Sequence, residues 1–265
     1  MWNKEVKDRV EEHYKDACSY FSRDQIVGIF LQGSQNYGLD LPTSDVDTKL
    51  IVVPSFRDIA LNKEPCSTTH IRANEEHIDF KDIRLYMETF RKQNLNFLEI
   101  LFTEYKIITG QYYLEWERLI KAREEIAHMN MFRAVKSMKG VALEKYHAME
   151  HAYPSKIAIL EQYGYDPKQL HHLVRIEDFL IRFMNGEDYA SCIKPKIKEY
   201  LLDIKKGKYN LEEARDLASE TIMHVIDIAD EFTEKVKNEE NPKTKELLED
   251  VSYNIMKIAV TEELQ

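Results

Sequence analysis

Two short apolar runs, residues 25–31 and 45–53, constrain the fold most. The first, QIVGIFL, is β-branched and apolar and stops just before Gly33 and Ser34, which predicts a buried strand closed by a tight turn. The second opens on Asp45-Val46-Asp47 and finishes as an unbroken apolar stretch. The two read as neighbouring central strands. Residues two apart in an extended strand project from one face, so the carboxylates of Asp45 and Asp47 would stand close together and repel. A cation removes that conflict, and hard oxygen donors so arranged suit Mg²⁺, which takes a few carboxylates and completes its shell with water and phosphate oxygens. For an isolated pair, two solvated aspartates at a strand end is the plainer reading.

Around these runs the hydrophobic period alternates between strand and helix. Residues 3–21 predict an amphipathic helix on Val6, Val10, Tyr14 and Ala17. Residues 77–81 predict a strand with Ile78 and Phe80 on one side and His77, Asp79 and Lys81 on the other. Helical period follows over 82–93 and 96–102, with a short strand at 105–109. Beyond residue 111 the period is helical throughout, over 113–126, 130–150, 167–185, 211–238 and 243–262. This predicts an α/β lobe over 1–110 and an all-helical lobe over 111–265, with the charged segment 237–246 as a turn between helices.

Charge and cysteine usage narrow the partners. The 265 residues carry 47 acidic against 37 basic side chains, a formal charge of −10, so a long nucleic acid is a disfavoured partner. Cys18, Cys66 and Cys192 are scattered without Cys-x-x-Cys spacing, and no signal segment or membrane-length apolar run is present; the expectation is a cytoplasmic protein with no membrane partner. Oligomeric state is not legible.

Two further patterns bear on the aspartates. A Gly-Ser turn leading into a helix offers backbone N–H groups and a hydroxyl to phosphate, and Asp79 can supply a third carboxylate from a later strand. In the helical half, Lys168, His172 and Arg175 fall at i, i+4 and i+7 of a helix whose start is marked by Asp166 and Pro167. They predict a basic face for triphosphate, with Leu170, Leu173, Val174 and Leu180 packed inward; a solvated face paired with nearby acids is the plain alternative. His147 and His151 share H-x-x-x-H spacing without a third ligand and read as helix-surface histidines.

An apolar strand, Gly33-Ser34, Asp45-x-Asp47 and a later Asp79 resemble the nucleotidyltransferases of the DNA polymerase beta superfamily. The likeness is narrower to predicted bacterial and phage members: Gly33, Ser34, Tyr37 and Gly38 before Ser44, Asp45 and Asp47; Asn94 and Glu99 in NLNFLEILF; and Gly164, Tyr165, Asp166, Lys168, His172 and Arg175 in GYDPKQLHHLVR. The resemblance implies an α+β protein, a mixed sheet flanked by helices followed by a helical lobe. It implies transfer of a nucleoside monophosphate from an NTP to an acceptor hydroxyl of a small molecule, protein or RNA end, with pyrophosphate leaving. Asp45, Asp47 and Asp79 would hold two Mg²⁺ ions, or Mn²⁺ in their place, and form the catalytic set. Gly33, Ser34, Lys81, Lys168, His172 and Arg175 would bind the nucleotide. A nucleotide-binding regulatory or toxin–antitoxin module with lost catalysis and a metal-dependent phosphohydrolase are the rival readings.

Overall fold

The structure, a computed structural model, describes residues 3–265, the side chain of Leu95 excepted. It is an α+β protein whose strands β1 (Ile26–Gln32), β2 (Asp47–Val52), β3 (Ser67–Ile71), β4 (His77–Asp82) and β5 (Lys106–Ile108) form one mixed sheet in the order β3-β4-β2-β1-β5. Strand β2 runs antiparallel to β1 and parallel to β4, and β3 and β5 are antiparallel edges. Burial explains the order. β1 and β2 are apolar and covered on both faces, so they take the centre, whereas β3 is Ser-Thr-Thr-His-Ile, mostly exposed, and tolerates an edge.

The Lys4–Ala17 helix is started by Asn3, whose side chain accepts the Glu5 N–H at 3.0 Å. Its buried Val6, Val10 and Ala17 pack on Ile29, Leu31, Leu50, Val52, Ile78 and Phe80; burying each valine contributes about 1.5–3 kcal/mol. Phe30 points the other way and meets Trp116 of the Tyr113–Lys121 helix at 4.6 Å between ring centroids. Strand alternation therefore puts Asp47, Lys49, Asp79 and Lys81 on the face away from the Lys4–Ala17 helix.

Contacts divide the chain into two compact units. One holds residues up to Asn36, Asp40–Met129 and Glu240–Gln265; the other holds Tyr37–Leu39 and Asn130–Glu239. This differs from a boundary at residue 110. The Tyr113–Lys121, Arg123–Ala127 and Pro242–Glu263 helices belong with the sheet, because Trp116 packs on Phe30, Arg118 pairs with Asp250, and Arg91 pairs with Glu240 at 3.0 Å. The composition shift marks the end of the strands rather than the end of the unit. Within the helical unit the Pro167–Met184 helix packs against Met131–Ala148, Lys198–Lys205 and Leu211–Lys235. Asp166 caps it by accepting the Lys168 N–H at 2.9 Å, and Pro167 fills its first turn. Gly164, at φ +79°, ends the preceding helix where an added Cβ would lie 3.1 Å from Leu211. Among the described residues no helix is long and apolar enough to cross a membrane, and no disulfide joins the three cysteines.

Candidate active site

β1 delivers the chain to Gly33, whose φ of +103° only glycine adopts readily. The turn is held from far along the chain: the Gly33 N–H donates to Glu99 Oε1 at 2.7 Å, and Asn36 Nδ2 donates to the same oxygen at 3.2 Å. Asn36 also donates to the Leu31 carbonyl at 3.0 Å and accepts the Thr103 hydroxyl at 2.7 Å. Glu99 is buried. The expected grip of phosphate by the Gly33 N–H is thus taken by the protein's own carboxylate, and the residue of the pair facing a ligand's phosphate would be Ser34, which opens the single helical turn Ser34–Tyr37.

The antiparallel register sets Gln32 opposite Asp47, so the Gly33-Ser34 turn follows directly on the residue beside the second aspartate. Asp47 begins β2 and accepts the His77 N–H at 2.9 Å. Asp45 lies before the strand and is exposed, with its carbonyl accepting from Gln35 Nε2 at 2.7 Å. The strand expected from residue 45 starts at 47 because the Val46 N–H donates to the Glu76 carboxylate, at 2.9 Å, rather than to a neighbouring strand. Val46 points into the core, and the alternation still turns Asp45 and Asp47 away from it.

Asp79 pairs in register with Lys49 across the parallel strands. One carboxylate oxygen lies 3.2 Å from Lys49 Nζ and the other accepts the Thr69 hydroxyl at 2.6 Å. Lys49 is 3% exposed, and its ammonium stands 4.3 Å from the Phe97 ring centre; Lys81 reaches the same ring at 4.5 Å. Burial lowers the pKa of both lysines, and the Asp79 charge opposes that shift. The expected three-carboxylate metal set is accordingly not assembled. Among the described residues no three His, Cys, Asp or Glu side chains converge as metal ligands, since Asp79 is turned to Lys49 and Thr69. Asp45 and Asp47 still offer the hard oxygen donors that Mg²⁺ takes.

In the helical unit the three residues expected to form one basic face differ in exposure. Lys168 is exposed, but His172 is half-buried and Arg175 is buried with its guanidinium stacked 4.2 Å from the centre of the Tyr37 ring. The Pro167–Met184 helix has neighbours on several sides, which leaves it little solvated face. Burial, then the Arg175 charge, pushes the His172 pKa well below its usual value. His171 passed unnoticed in the sequence: it is buried, its Nδ1 lies 2.9 Å from the Leu201 carbonyl, and burial lowers its pKa to about 4. The stretch Tyr37–Leu39 is held here by Arg175 and by Lys205, which donates to the Leu39 carbonyl at 2.8 Å. Residues of two separate motifs, Tyr37 and Arg175, thus meet within one unit. His147 and His151 are exposed, and the helix ends at Ala148 between them.

No protein-family model matches the chain, and no curated protein sequence matches it. A solved structure described as a nucleotidyltransferase-like protein from Exiguobacterium sibiricum 255-15 is similar at 13% identity and a TM-score of 0.33, over 86% of this chain and 77% of that one. Likeness at that level is distant, so the functional reading rests on the residues themselves.

Proposed function

We propose that the chain is a nucleotidyltransferase that moves a nucleoside monophosphate from an NTP to an acceptor hydroxyl and releases pyrophosphate. The observation that carries this is the register of the central strands. Pairing of Gln32 with Asp47 sets the Gly33-Ser34 turn beside the aspartate pair, and β4 presents Asp79 on the face that also carries Asp47. Phosphoryl transfer asks a protein mainly for positioning and for charge stabilisation, and this face concentrates both. Asp45 and Asp47 are the residues that would hold Mg²⁺ or Mn²⁺, which supplies charge neutralisation to the triphosphate when bound. Ser34 faces the terminal phosphates. Asp79, 35% exposed and fixed by Thr69 and Lys49, receives the acceptor proton, and Lys81 adds positive charge beside it. Within the helical unit Lys168 is the exposed cation of its motif, with His172 beside it and Arg175 holding Tyr37. The acceptor is a small molecule, a protein or an RNA end; the acidic surface disfavours a long nucleic acid.

One observation favours a second reading, nucleotide binding without transfer: both Asp79 oxygens are engaged within the protein. Incubation with each α-labelled NTP, Mg²⁺ and a cell lysate separates the two. Label transfer with pyrophosphate release is expected of the native chain, and should vanish in Asp45→Asn and Asp47→Asn with the melting temperature unchanged. Full transfer by the double variant would refute the assignment, and NTP binding without any transfer would favour the second reading.

A further inference from the structure

Behind the aspartates lies a group of buried charges that the chemistry above does not use. Glu76 ends the β3–β4 hairpin and is 1% exposed. Its Oε1 accepts the Val46 N–H at 2.9 Å and pairs with Arg9, while its Oε2 accepts from Arg72 Nη1 at 2.9 Å and Asn74 Nδ2 at 2.7 Å. His13, fully buried on the Lys4–Ala17 helix, places Nε2 3.0 Å from Glu76 Oε2 and Nδ1 2.9 Å from the Thr48 hydroxyl. A carboxylate only accepts, so Nε2 carries the imidazole proton and Nδ1 accepts from Thr48. Burial and the Arg72 charge lower the His13 pKa to about 4, which keeps that neutral tautomer in place.

This cluster grips the two residues that flank Asp47. Glu76 holds the Val46 N–H directly, and His13 holds Thr48. Val46 and Thr48 are the inward-facing alternates of Asp45-Val46-Asp47-Thr48, so fixing them fixes the direction in which both aspartates leave the backbone. Five buried or part-buried polar side chains, Glu76, His13, Thr48, Arg72 and Arg9, are a costly way to hold a loop. An apolar cluster of like volume is often as stable as a buried ionic one, so stability alone does not call for this arrangement.

We propose that Glu76 and His13 are positioning residues that set the Asp45–Asp47 geometry for divalent cation binding. The inference rests on the nucleotidyltransferase reading. It predicts that Glu76→Gln and His13→Gln raise the Mg²⁺ concentration for half-maximal transfer by about 10- to 100-fold, as loss of groups supporting metal ligands does elsewhere. The Mg²⁺ concentration needed to raise the melting temperature should shift by the same factor, while KM for NTP at saturating Mg²⁺ stays within about twofold. Val10→Ala, on the same helix but packed only into the apolar core, provides a destabilised control whose Mg²⁺ requirement should match the native chain. A Glu76→Gln protein with native Mg²⁺ dependence in both readouts would overturn the proposal. Should that variant fail to fold, Thr48→Val, which removes only the hydroxyl bonded to His13, decides instead: a native Mg²⁺ requirement overturns it and a raised one supports it. A native chain with no Mg²⁺ response in either readout fails the nucleotidyltransferase reading itself, and the inference with it.

Discussion

Removing the Asp79 carboxylate should cost the fold more than removing the Lys49 ammonium that it pairs with. Lys49 is 3% exposed and Asp79 is 35% exposed, with their charged atoms 3.2 Å apart. Asp79→Ala therefore strands a buried ammonium left with the Phe97 ring at 4.3 Å and the more distant charge of Asp47. Breaking a buried pair from one side costs about 3–5 kcal/mol, and the lower end applies because the lysine can lose its proton. Lys49→Met leaves Asp79 its Thr69 hydroxyl and its contact with water, and keeps an apolar stem against Phe97, so a change within about 1 kcal/mol is expected. The double variant should lie close to Lys49→Met. The pH dependence follows with a definite sign. Burial lowers the Lys49 pKa and Asp79 raises it, so losing Asp79 lowers it further. The unfolded chain then holds the proton that the folded chain gives up, and the stability of Asp79→Ala rises as pH climbs toward the ordinary lysine value. Urea unfolding followed by tryptophan fluorescence at about pH 7.5 and about pH 9.5 measures both effects. An Asp79→Ala cost no larger than that of Lys49→Met, or a deficit that does not shrink at the higher pH, would refute the reasoning. The comparison also bears on activity, since a dead Asp79 variant speaks to chemistry only if it is folded.

Gly33→Ala should lose about 1–3 kcal/mol through backbone strain alone, because the added Cβ meets nothing closer than Gln35 Oε1 at 4.0 Å while φ stays at +103°; a melting temperature equal to the native one would contradict this. Buried His171 makes the chain acid-sensitive. Its pKa is lowered from 6.5 to about 4, so the stability it lends is complete above pH 6.5 and is lost as pH falls toward 4, amounting to about 3 kcal/mol in all. His171→Gln should flatten that part of the curve in urea unfolding between about pH 7.5 and about pH 5, and an unchanged slope would show that the histidine is not the cause.

The parts of the fold legible in the sequence were those whose burial is periodic. β1, β2 and β4 stand out because an apolar residue recurs where the core is, and Asp47 and Asp79 could be placed on strands for the same reason. β3 was invisible: as an exposed edge it needs backbone partners and no apolar face, and Ser-Thr-Thr-His-Ile shows no period. The long helices were found near their observed limits, including Leu211–Lys235 and Pro242–Glu263. Which unit each joins was not, because a period identifies a buried face without naming its partner. Lys49 had a signal that passed unused, a charge two residues beyond Asp47 inside an apolar strand. Glu76 and His13 had none, since the partners that make a buried polar group tolerable are scattered over the chain, and Glu99 stood in a recognised stretch without any sign that it holds Gly33. Spacing alone puts Arg175 on one face with Lys168 and His172, but it does not show that a helix packed on several sides buries the guanidinium against Tyr37.

The discontinuous sheet unit imposes an order on biosynthesis. Its last helix, Pro242–Glu263, buries Leu248, Val251, Ile255 and Ala259 and packs against the Tyr113–Lys121 and Ile83–Arg91 helices. A ribosome releases residues in sequence, so all of 130–239 emerges before that helix does. At 5–20 residues per second the interval is on the order of ten seconds, long compared with the formation of a hairpin or a helix. During it the nascent sheet can already be paired while the apolar ground reserved for Pro242–Glu263 is bare. The residues of the helical unit have all emerged only at the end of that interval, still ahead of the covering helix. The nascent chain therefore passes through a stage in which the sheet unit waits for its cover while the helical unit is still emerging, and it is there that a chaperone would find apolar surface to hold.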